Sequence, residues 1–451
     1  MKQPGAIVSV SPAENDDNVS VHAPITIEYN VPVQVTPSSV TLSGPNAAVI
    51  ATTLRVSDDG KTVTVAPIAE VPAPTKLTLT INEIRTREGA IAEKKTWSWT
   101  LPAWLRVEAA NQIAGEAALW SSPIVAVGSA DKIITTVSNK GLTLAQLDGS
   151  LNTWSQMGDP LDIPAAPRPS LAFDKDGALV MAYMAPKGPQ LPYEIRVRRW
   201  SGSAWEPMGQ ALDDAAGMCP YACFPVIARA RDTGQLFVAY TRPVPGEPGP
   251  ETLVVKTFAD GQWKQVGSVV SDSSQGARYL ALVIADSGVP FVLYTSEGDT
   301  KGTWVKKLSQ DGSWATVGST PNLPNENPAY NNSLALDASG NPAVLGCYGG
   351  KYQLRRFDGN QWVGGGENSR AGCGTYESFL ASNGSGRLFA FWSSSGVVQA
   401  ADVTNANWQL LDPTPSSGNL RAGSLTVGPT GIPVIGWAED NKTIRVRRLN
   451  R

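Results

Sequence analysis

Hydrophobic and polar residues alternate along the first hundred positions as they do in β-strands. In ITIEYNVPVQV the apolar residues Ile25, Ile27 and Tyr29 share one face. SDDGKTVTVAP is a turn that leads into a strand, and TKLTLTINEI and KKTWSWTLP continue the alternation. Several short strands with turn signals in about 95 residues predict a β-sandwich for residues 1–101.

This stretch also resembles a known family. The run SPAENDDNVSVHAPITIEYNVPV, followed by DDGKTVTVAP, KLTLTI and KTWSWTLP, resembles the SbsA-type bacterial immunoglobulin-like domain over its whole length. The resemblance implies a secreted or cell-surface bacterial protein in which the domain acts as a spacer, and it brings no catalytic residue. His22, the one histidine of the chain, lies here, and we expect it at the surface or at a strand edge.

From position 118 the pattern becomes a repeat of about 50 residues, which is too long and too rich in strands for helical repeats. Each unit starts with strand, tight turn and strand, as in SLAFDKDGALVMAY, and continues with a third strand such as EIRVRRW. Each unit ends on a strand that carries one tryptophan, and these are Trp154, Trp205, Trp263, Trp314, Trp362 and Trp408. Four strands per unit predict the blade of a β-propeller.

The repeats show how the ring closes. There are seven front halves but only six tryptophan strands behind them, and the last front half ends the chain at TIRVRRLNR. The missing strand is AWLRVEAANQI, which carries Trp104 in the right place. We therefore predict an all-β chain in which residues 102–451 form a seven-bladed propeller. A strand at about 103–113 joins the C-terminal blade and removes the open edges at the seam.

Loop lengths indicate a working face of this propeller. Turns inside the hairpins are short, whereas loops between strands two and three and between blades are long and varied, as binding loops are. Aromatic residues end most of the second strands or lie in the blade-to-blade loops, and they are the candidate ligand-binding residues: Tyr183, Tyr240, Tyr294, Tyr330, Tyr376, Trp392 and Trp437. Such rings suit sugars or protein partners. The alternative for those on the second strands is that they cap the core between blades, as we expect of the repeated tryptophans.

Four cysteines occur, and an even count without nearby histidine favours disulfides and an oxidising compartment. Cys347 ends a second strand and Cys373 lies in the loop that leaves the same blade, so we predict a bridge between them. Cys219 and Cys223 would close their own loop. Free buried thiols or a zinc site remain as alternatives for the four.

Basic residues concentrate on the third strands: Arg196, Arg198, Arg199, Lys306, Lys307, Arg355, Arg356, Arg445, Arg447 and Arg448. We expect a solvated face with local ion pairs, and a site for an anionic ligand is the alternative. The net charge of −3 argues against nucleic acid or an anionic membrane as partner. No apolar run is long enough to span a bilayer.

The propeller has no histidine, so a nucleophile that needs one cannot be built there. A carboxylate pair could still hydrolyse glycosides, but nothing distinguishes a pair among Asp162, Asp213, Asp214, Glu326 and Glu377. LSQDGSW resembles a shortened sialidase Asp-box, a structural turn. We therefore expect no catalytic residue, metal or cofactor, although a sialidase-like glycoside hydrolase remains an alternative.

Together these features predict an adhesin-like or lectin-like binding protein, since the repeats resemble those of propeller lectins and sialidases. Its propeller would bind a glycan or a cell-surface protein, with the first domain as spacer. The alternative is a structural subunit or decoration of a surface filament that associates with itself. We expect an extracellular or cell-surface location. The start, MKQPGAIVSV, is no leader peptide, and we expect that one has been removed.

Overall fold

The computed structural model describes residues 4–107, 123–129, 132–138, 142–148, 153–161, 169–186, 193–212, 224–243, 251–271, 277–296, 302–321, 332–367, 373, 378–394, 397–411, 420–439 and 443–451. The chain divides into two compact units, one of residues 1–106 with 448–451 and one of residues 107–447. The division into domains at residues 1–101 and 102–451 stays a prediction.

The first unit is built from short antiparallel strands and one turn of 3-10 helix at Pro45–Ala47. The strands are β1 (Ile7–Ser11), β2 (Ile25–Tyr29), β3 (Val33–Gln34), β4 (Val40–Ser43), β5 (Val49–Ile50), β6 (Thr52–Val56), β7 (Thr62–Pro67), β8 (Thr75–Ile81), β9 (Arg85–Thr86) and β10 (Thr96–Leu101). They form sheets in the orders β1-β2-β7-β6, β10-β8-β4-β5 and β3-β9.

Alternation along these strands produces the core of the first unit. The predicted inward positions of β2 are buried, and so are those of β8 and β10. Trp97 and Trp99 are 2% and 1% exposed, and the indole nitrogen of Trp97 donates to the carbonyl of Pro12 at 3.1 Å. His22 is exposed, as expected. The prediction of a β-sandwich is therefore confirmed for this unit.

Strands continue through the rest of the chain. They are β11 (Trp104–Val107), β12 (Val125–Val127), β13 (Ile133–Ser138), β14 (Leu142–Asp148), β15 (Thr153–Gln156), β16 (Ser170–Phe173), β17 (Leu179–Pro186), β18 (Tyr193–Trp200), β19 (Trp205–Pro207), β20 (Val226–Arg229), β21 (Leu236–Pro243), β22 (Glu251–Ala259), β23 (Gln262–Gln265), β24 (Arg278–Ile284), β25 (Pro290–Ser296), β26 (Gly302–Leu308), β27 (Trp314–Thr316), β28 (Ser333–Leu336), β29 (Pro342–Tyr348), β30 (Lys351–Phe357), β31 (Trp362–Glu367), β32 (Ser378–Ser382), β33 (Leu388–Ser394), β34 (Val397–Asp402), β35 (Gln409–Leu411), β36 (Leu420–Val427), β37 (Pro433–Glu439) and β38 (Thr443–Leu449). Apart from β11, the neighbour in sequence is also the neighbour in the sheet.

These strands form four-stranded sheets that close into a ring. We number the sheets 1 to 7 by their innermost strands, β12, β16, β20, β24, β28, β32 and β36. Each innermost strand contacts the next, and β36 contacts β12. Within the described residues, the side chain of Arg231 in sheet 3 reaches Gly384 of sheet 6, donating to its carbonyl at 3.2 Å. An all-β chain with a propeller-like ring is therefore what the structure shows.

Sheet 7 is assembled from two distant parts of the sequence. Its strand order is β11-β38-β37-β36, so the strand at Trp104 lies outside the last strand of the chain. The backbone nitrogen of Asn450 also donates to the carbonyl of Ala103 at 2.9 Å. This is the pairing that the count of repeats predicted.

A repeated tryptophan and glycine set the spacing between neighbouring sheets. The glycine four residues after the tryptophan has a positive φ, for example 68° at Gly158 and 62° at Gly318. A side chain there would also collide with an aromatic ring of the next sheet, since a Cβ on Gly318 would lie 2.7 Å from Phe357. Glycine is thus required both by conformation and by space.

Candidate functional site

The repeated tryptophans bind neighbouring sheets together, as expected. Trp263 of sheet 3 donates its indole N–H to the carbonyl of Met208, which follows the outer strand of sheet 2, at 2.7 Å. Trp314, Trp362 and Trp408 make the corresponding bond to the preceding sheet, at 3.1, 2.9 and 3.2 Å. These rings are therefore structural.

Aromatic residues at the ends of the second strands are buried. Tyr183 is 2% exposed, and Tyr240, Tyr294, Trp392 and Trp437 are 0% exposed. Each second strand lies within a sheet that packs against a neighbouring sheet on each of its two faces. This burial favours the packing role over ligand contact for the four that are fully buried, whereas Tyr183 also lines a cavity. The other two candidates, Tyr330 and Tyr376, lie outside the described residues.

The cysteine and carboxylate predictions have separate outcomes. Cys347 and Cys373 form a disulfide with a Cα–Cα distance of 5.8 Å, which confirms the predicted bridge. Cys219 and Cys223 fall outside the part of the chain that is described, as do all five loop carboxylates considered for hydrolysis. No group of three or more potential metal ligands occurs among the described residues. The helix that is described is too short to cross a membrane.

Third-strand cations make the predicted local ion pairs in part. Arg199 donates to Asp174 at 2.6 Å, and Arg445 donates to Glu439 at 3.0 Å. Other cations reach backbone carbonyl groups instead, among them Arg356, which donates to Val403. Burial lowers the pKa of Arg356, and the charge of Asp337 opposes that effect. Several basic side chains of the third strands thus make ion pairs or hydrogen bonds within the protein.

A cavity of about 420 Å³ opens between sheets 1 and 2, and we call it the sheet 1–2 groove. One wall is the segment 158–161 that follows β15, and it includes Asp159. The other wall comes from sheet 2 and contains Tyr183, Arg196, Arg198 and residues 203–205. The groove thus combines charged groups with the rings of a tyrosine and a tryptophan.

The β-ladder fixes the positions of the groove residues. Arg196 pairs with Tyr183 across β17 and β18, and Arg198 is two residues further on, so both arginines project from the same face. Ile195 and Val197 alternate with them and are buried at 2% and 3% exposure. Alternation in EIRVRRW therefore places apolar side chains in the core and two guanidinium groups in the groove.

The position of Arg198 recurs in other sheets, and we call it the repeat cation position. In each of four sheets, one residue of the third strand pairs with the repeated tryptophan of the fourth strand, and the repeat cation position lies two residues before it. These paired third-strand residues are Trp200, Phe258, Leu308 and Phe357. The occupants of the repeat cation position are Arg198, Lys256, Lys306 and Arg355, with Arg447 added by aligning TIRVRRL to EIRVRRW.

Every cation at this position except Arg198 contacts a group of the protein that the structure describes. Lys256 and Lys306 donate to the carbonyl groups of Leu212 and Val270 on the preceding sheet. Arg355 and Arg447 lie over aromatic rings, with guanidinium carbons 5.0 and 5.9 Å from the ring centroids. The guanidinium of Arg198 has no hydrogen bond, ion pair or ring contact with any described residue.

Tyr183 shows the same contrast with its counterpart. The hydroxyl of Tyr240, one sheet further on, donates to the carbonyl of Leu212 at 2.9 Å. The hydroxyl of Tyr183 has no such bond within the described residues, and Tyr183 lines the groove. Two polar groups whose counterparts hold sheets together elsewhere therefore have no partner among the described residues here.

The second arginine of the groove is already neutralised. Arg196 donates through Nε to Glu194 at 2.5 Å, and the Glu194 side chain is only 10% exposed. Sheet 3 has the fully buried Val254 where sheet 2 has Arg196. The ion pair thus replaces an apolar contact and makes this wall polar.

A second cavity, of about 480 Å³, lies at the hairpin turns of sheet 6, and its charges are paired. Arg387 donates to Asp402 at 2.5 Å, and the hydroxyl of Thr404 donates to the same carboxylate at 2.6 Å. Burial acts to raise the pKa of Asp402, but the hydrogen bonds from Thr404 and Arg387 outweigh it and lower the pKa. This cavity offers no free charge, so the sheet 1–2 groove is the better candidate site.

Comparison with known proteins identifies the first domain. Residues 1–101 match the family model of the bacterial Ig-like domain. Among curated proteins, no relative matches the chain.

Several solved structures match this chain at low similarity. A protein of unknown function from Dyadobacter fermentans has a TM-score of 0.44 and 11% identity, covering 78% of this chain and 100% of its own. A PL25 ulvan lyase has a TM-score of 0.49 and 13% identity, covering 76% and 95%. An α-L-arabinanase from Penicillium chrysogenum has a TM-score of 0.41 and 14% identity, covering 62% and 92%. With TM-scores below 0.5, these similarities carry no conclusion about the ligand of this chain.

Sequence reasoning missed the groove. Arg198 was expected within a solvated basic face, with a site for an anionic ligand as the alternative, and Asp159, Ser203 and Trp205 were not expected at a site. The available signal was the difference between EIRVRRW and TLVVKTF, where two arginines replace one valine and one lysine. The sequence difference can be interpreted only from the structure, which shows that Lys256 donates to the carbonyl of Leu212 and that the Arg198 side chain has no such bond to a described residue.

Proposed function

We propose that this chain is an extracellular bacterial protein that binds a saccharide in the sheet 1–2 groove, with the Ig-like domain as spacer. The observation that carries the proposal is a pair of polar groups on the wall of an open cavity, the Arg198 guanidinium and the Tyr183 hydroxyl, for which no described residue is a partner. Binding sites combine apolar walls with a few convergent polar groups of this kind.

The shape of the groove favours a saccharide over a protein partner. A stable protein interface buries about 800 Å² on each side, which requires a broad surface rather than a cleft. A cavity of about 420 Å³ instead falls in the range that suits small ligands. The half-buried ring of Trp205 offers an apolar surface beside charged groups, a combination that suits sugar rings.

Two features support an extracellular location. The Ig-like domain matches a bacterial family. The bridge between Cys347 and Cys373 fits an oxidising compartment, because cytosolic reductants keep thiols reduced.

A steric block tests the proposed function. Ser203 is exposed at the rim of the groove, so Ser203→Trp would fill the cavity without disturbing the core. The matched control is Gln310→Trp, an equally exposed position in the corresponding turn of sheet 4. Binding of the full chain to an array of neutral and acidic oligosaccharides is measured for all three proteins.

We expect the wild type and Gln310→Trp to bind the same saccharides, and Ser203→Trp to lose at least about tenfold in affinity, equivalent to about 1.4 kcal/mol. An array without any bound saccharide would overturn the proposal, as would full binding by Ser203→Trp. Self-assembly in the absence of ligand, together with an empty array, would instead favour the filament role.

A further inference from the structure

The guanidinium of Arg198 is the cation of the groove that no described residue engages. Arg196 is neutralised by Glu194, with the two side chains joined at 2.5 Å. Asp159, on the opposite wall, is exposed and makes no ion pair with Arg198. Among the described residues, the groove therefore presents one cation and one carboxylate without an ion-pair partner.

We propose that the ligand of the sheet 1–2 groove is an acidic saccharide whose carboxylate or sulfate ester binds Arg198. This inference rests on the saccharide binding proposed above and adds the chemical class of the sugar. Asp159 accepts hydrogen bonds from hydroxyl groups of the same sugar.

Comparison within the ring supports this assignment. At the repeat cation position, lysine donates to a single carbonyl oxygen in sheets 3 and 4. Arginine differs because its planar fork donates two parallel hydrogen bonds, which match the two oxygens of a carboxylate or a sulfate. In sheets 5 and 7 an arginine at this position is held by a ring. Among the cations at this position, the Arg198 guanidinium of sheet 2 is the one that no described residue engages.

The neighbours of Arg198 also suit such a ligand. Arg196 and Tyr183 flank it on the same wall, so an acidic group would meet donors there, and the carboxylate on the opposite wall, Asp159, is exposed to solvent. Glu194 is the nearest acid on this strand, and its charge is taken up by Arg196. The field in the groove therefore favours an anion at Arg198.

The test compares three tetrasaccharides of similar size on the full chain: tetragalacturonate, a sulfated galactotetraose and neutral galactotetraose. Binding is measured by calorimetry for the wild type, Arg198→Gln and Arg198→Lys. The matched control is Lys307→Gln, which removes one exposed charge from the third strand of sheet 4, away from the groove. Unfolding temperatures are recorded for each variant, and we expect them to be unchanged because the Arg198 guanidinium makes no hydrogen bond, ion pair or ring contact with a described residue.

We expect the wild type to bind at least one acidic tetrasaccharide about tenfold more tightly than the neutral one, the size of one charged hydrogen-bonded contact. Arg198→Gln should abolish this preference, Arg198→Lys should keep part of it, and Lys307→Gln should keep all of it. Added salt should weaken the acidic ligands alone. The carboxylated and sulfated arms show which acid the groove prefers.

Two results separate this inference from the proposed function. If the wild type binds neutral and acidic tetrasaccharides equally, and Ser203→Trp abolishes both, the groove binds sugars but the acidic assignment is wrong. The same holds if Arg198→Gln keeps the preference for the acidic sugars. If no saccharide binds the wild type, the proposed function itself is wrong, and the inference falls with it.

Discussion

At the scale of single residues, one repeated position serves different purposes in different sheets. Lys256 and Lys306 use their charge to hold a neighbouring sheet, whereas Arg198 faces an open groove. The sequence shows that all three are cations, but it does not show which carbonyl group lies within reach. That depends on the path of the segment 158–161 on the preceding sheet.

Replacing Trp263 by phenylalanine should weaken the contact between sheets 2 and 3. The change removes the 2.7 Å hydrogen bond to Met208 and leaves that carbonyl without its donor. We expect a loss of about 1 kcal/mol in the free energy of unfolding, measured with denaturant, beyond the loss of packing. Trp205→Phe is the control, since its indole nitrogen makes no hydrogen bond to a described residue. Equal losses for both variants would contradict the bonding role.

Tyr29 should ionise only at strongly alkaline pH. Burial, and then the negative charge of Glu93, raise its pKa to about 12. The unfolded phenol ionises near pH 10, so the stability that Tyr29 contributes is complete below about pH 10. It is lost as the pH rises through about 12. The difference in phenolate absorbance between the wild type and Tyr29→Phe should rise near pH 12, and a rise near pH 10 would show that the ring is not buried.

At the scale of elements, the side chain of Asn450 connects the residues after β38 to the first unit through hydrogen bonds. Asn450 is 2% exposed, and its amide nitrogen donates to the carbonyl groups of Val19 and Pro102, each at 2.9 Å. Its oxygen accepts from the backbone nitrogen of Val21 at 2.9 Å. These bonds lie within the first unit and hold the residues that follow β38.

Asn450→Ala should therefore increase hydrogen exchange at the Val21 amide. The change removes one buried and two partly buried hydrogen bonds and should cost about 2 to 3 kcal/mol, so exchange should rise more than tenfold. Arg451→Ala, at the exposed next position, should leave this amide protected. Unchanged exchange in Asn450→Ala would contradict the fastening role.

The disulfide is a second element-scale feature, and it can be counted chemically. Denatured but unreduced protein should contain no more than two free thiols of its four cysteines, because Cys347 and Cys373 are bonded to each other. The bridge closes a loop of 26 residues and should contribute about 3 kcal/mol to stability. Unfolding of a Cys347→Ala, Cys373→Ala double variant measures that contribution, and four free thiols in the wild type would refute the bridge.

At the scale of the whole molecule, the fold was largely predictable and the site was not. Repeated tryptophans, short hairpin turns and an unpaired strand at Trp104 follow from local chemistry, and they predicted the strand order of sheet 7. The burial of Tyr240 or Trp392 depends on the neighbouring sheet, which no single repeat encodes. The same is true of the groove, because it exists where two sheets fail to fill the space between them.

The most direct test of the central claim is a crystal structure of the full chain with tetragalacturonate or the sulfated tetrasaccharide, whichever binds more tightly. We predict an acidic group of the sugar about 3 Å from the Arg198 guanidinium, with the sugar lying in the sheet 1–2 groove. A sugar seated in the cavity beside Arg387, or anywhere else that leaves Arg198 without an acidic partner, would contradict the account.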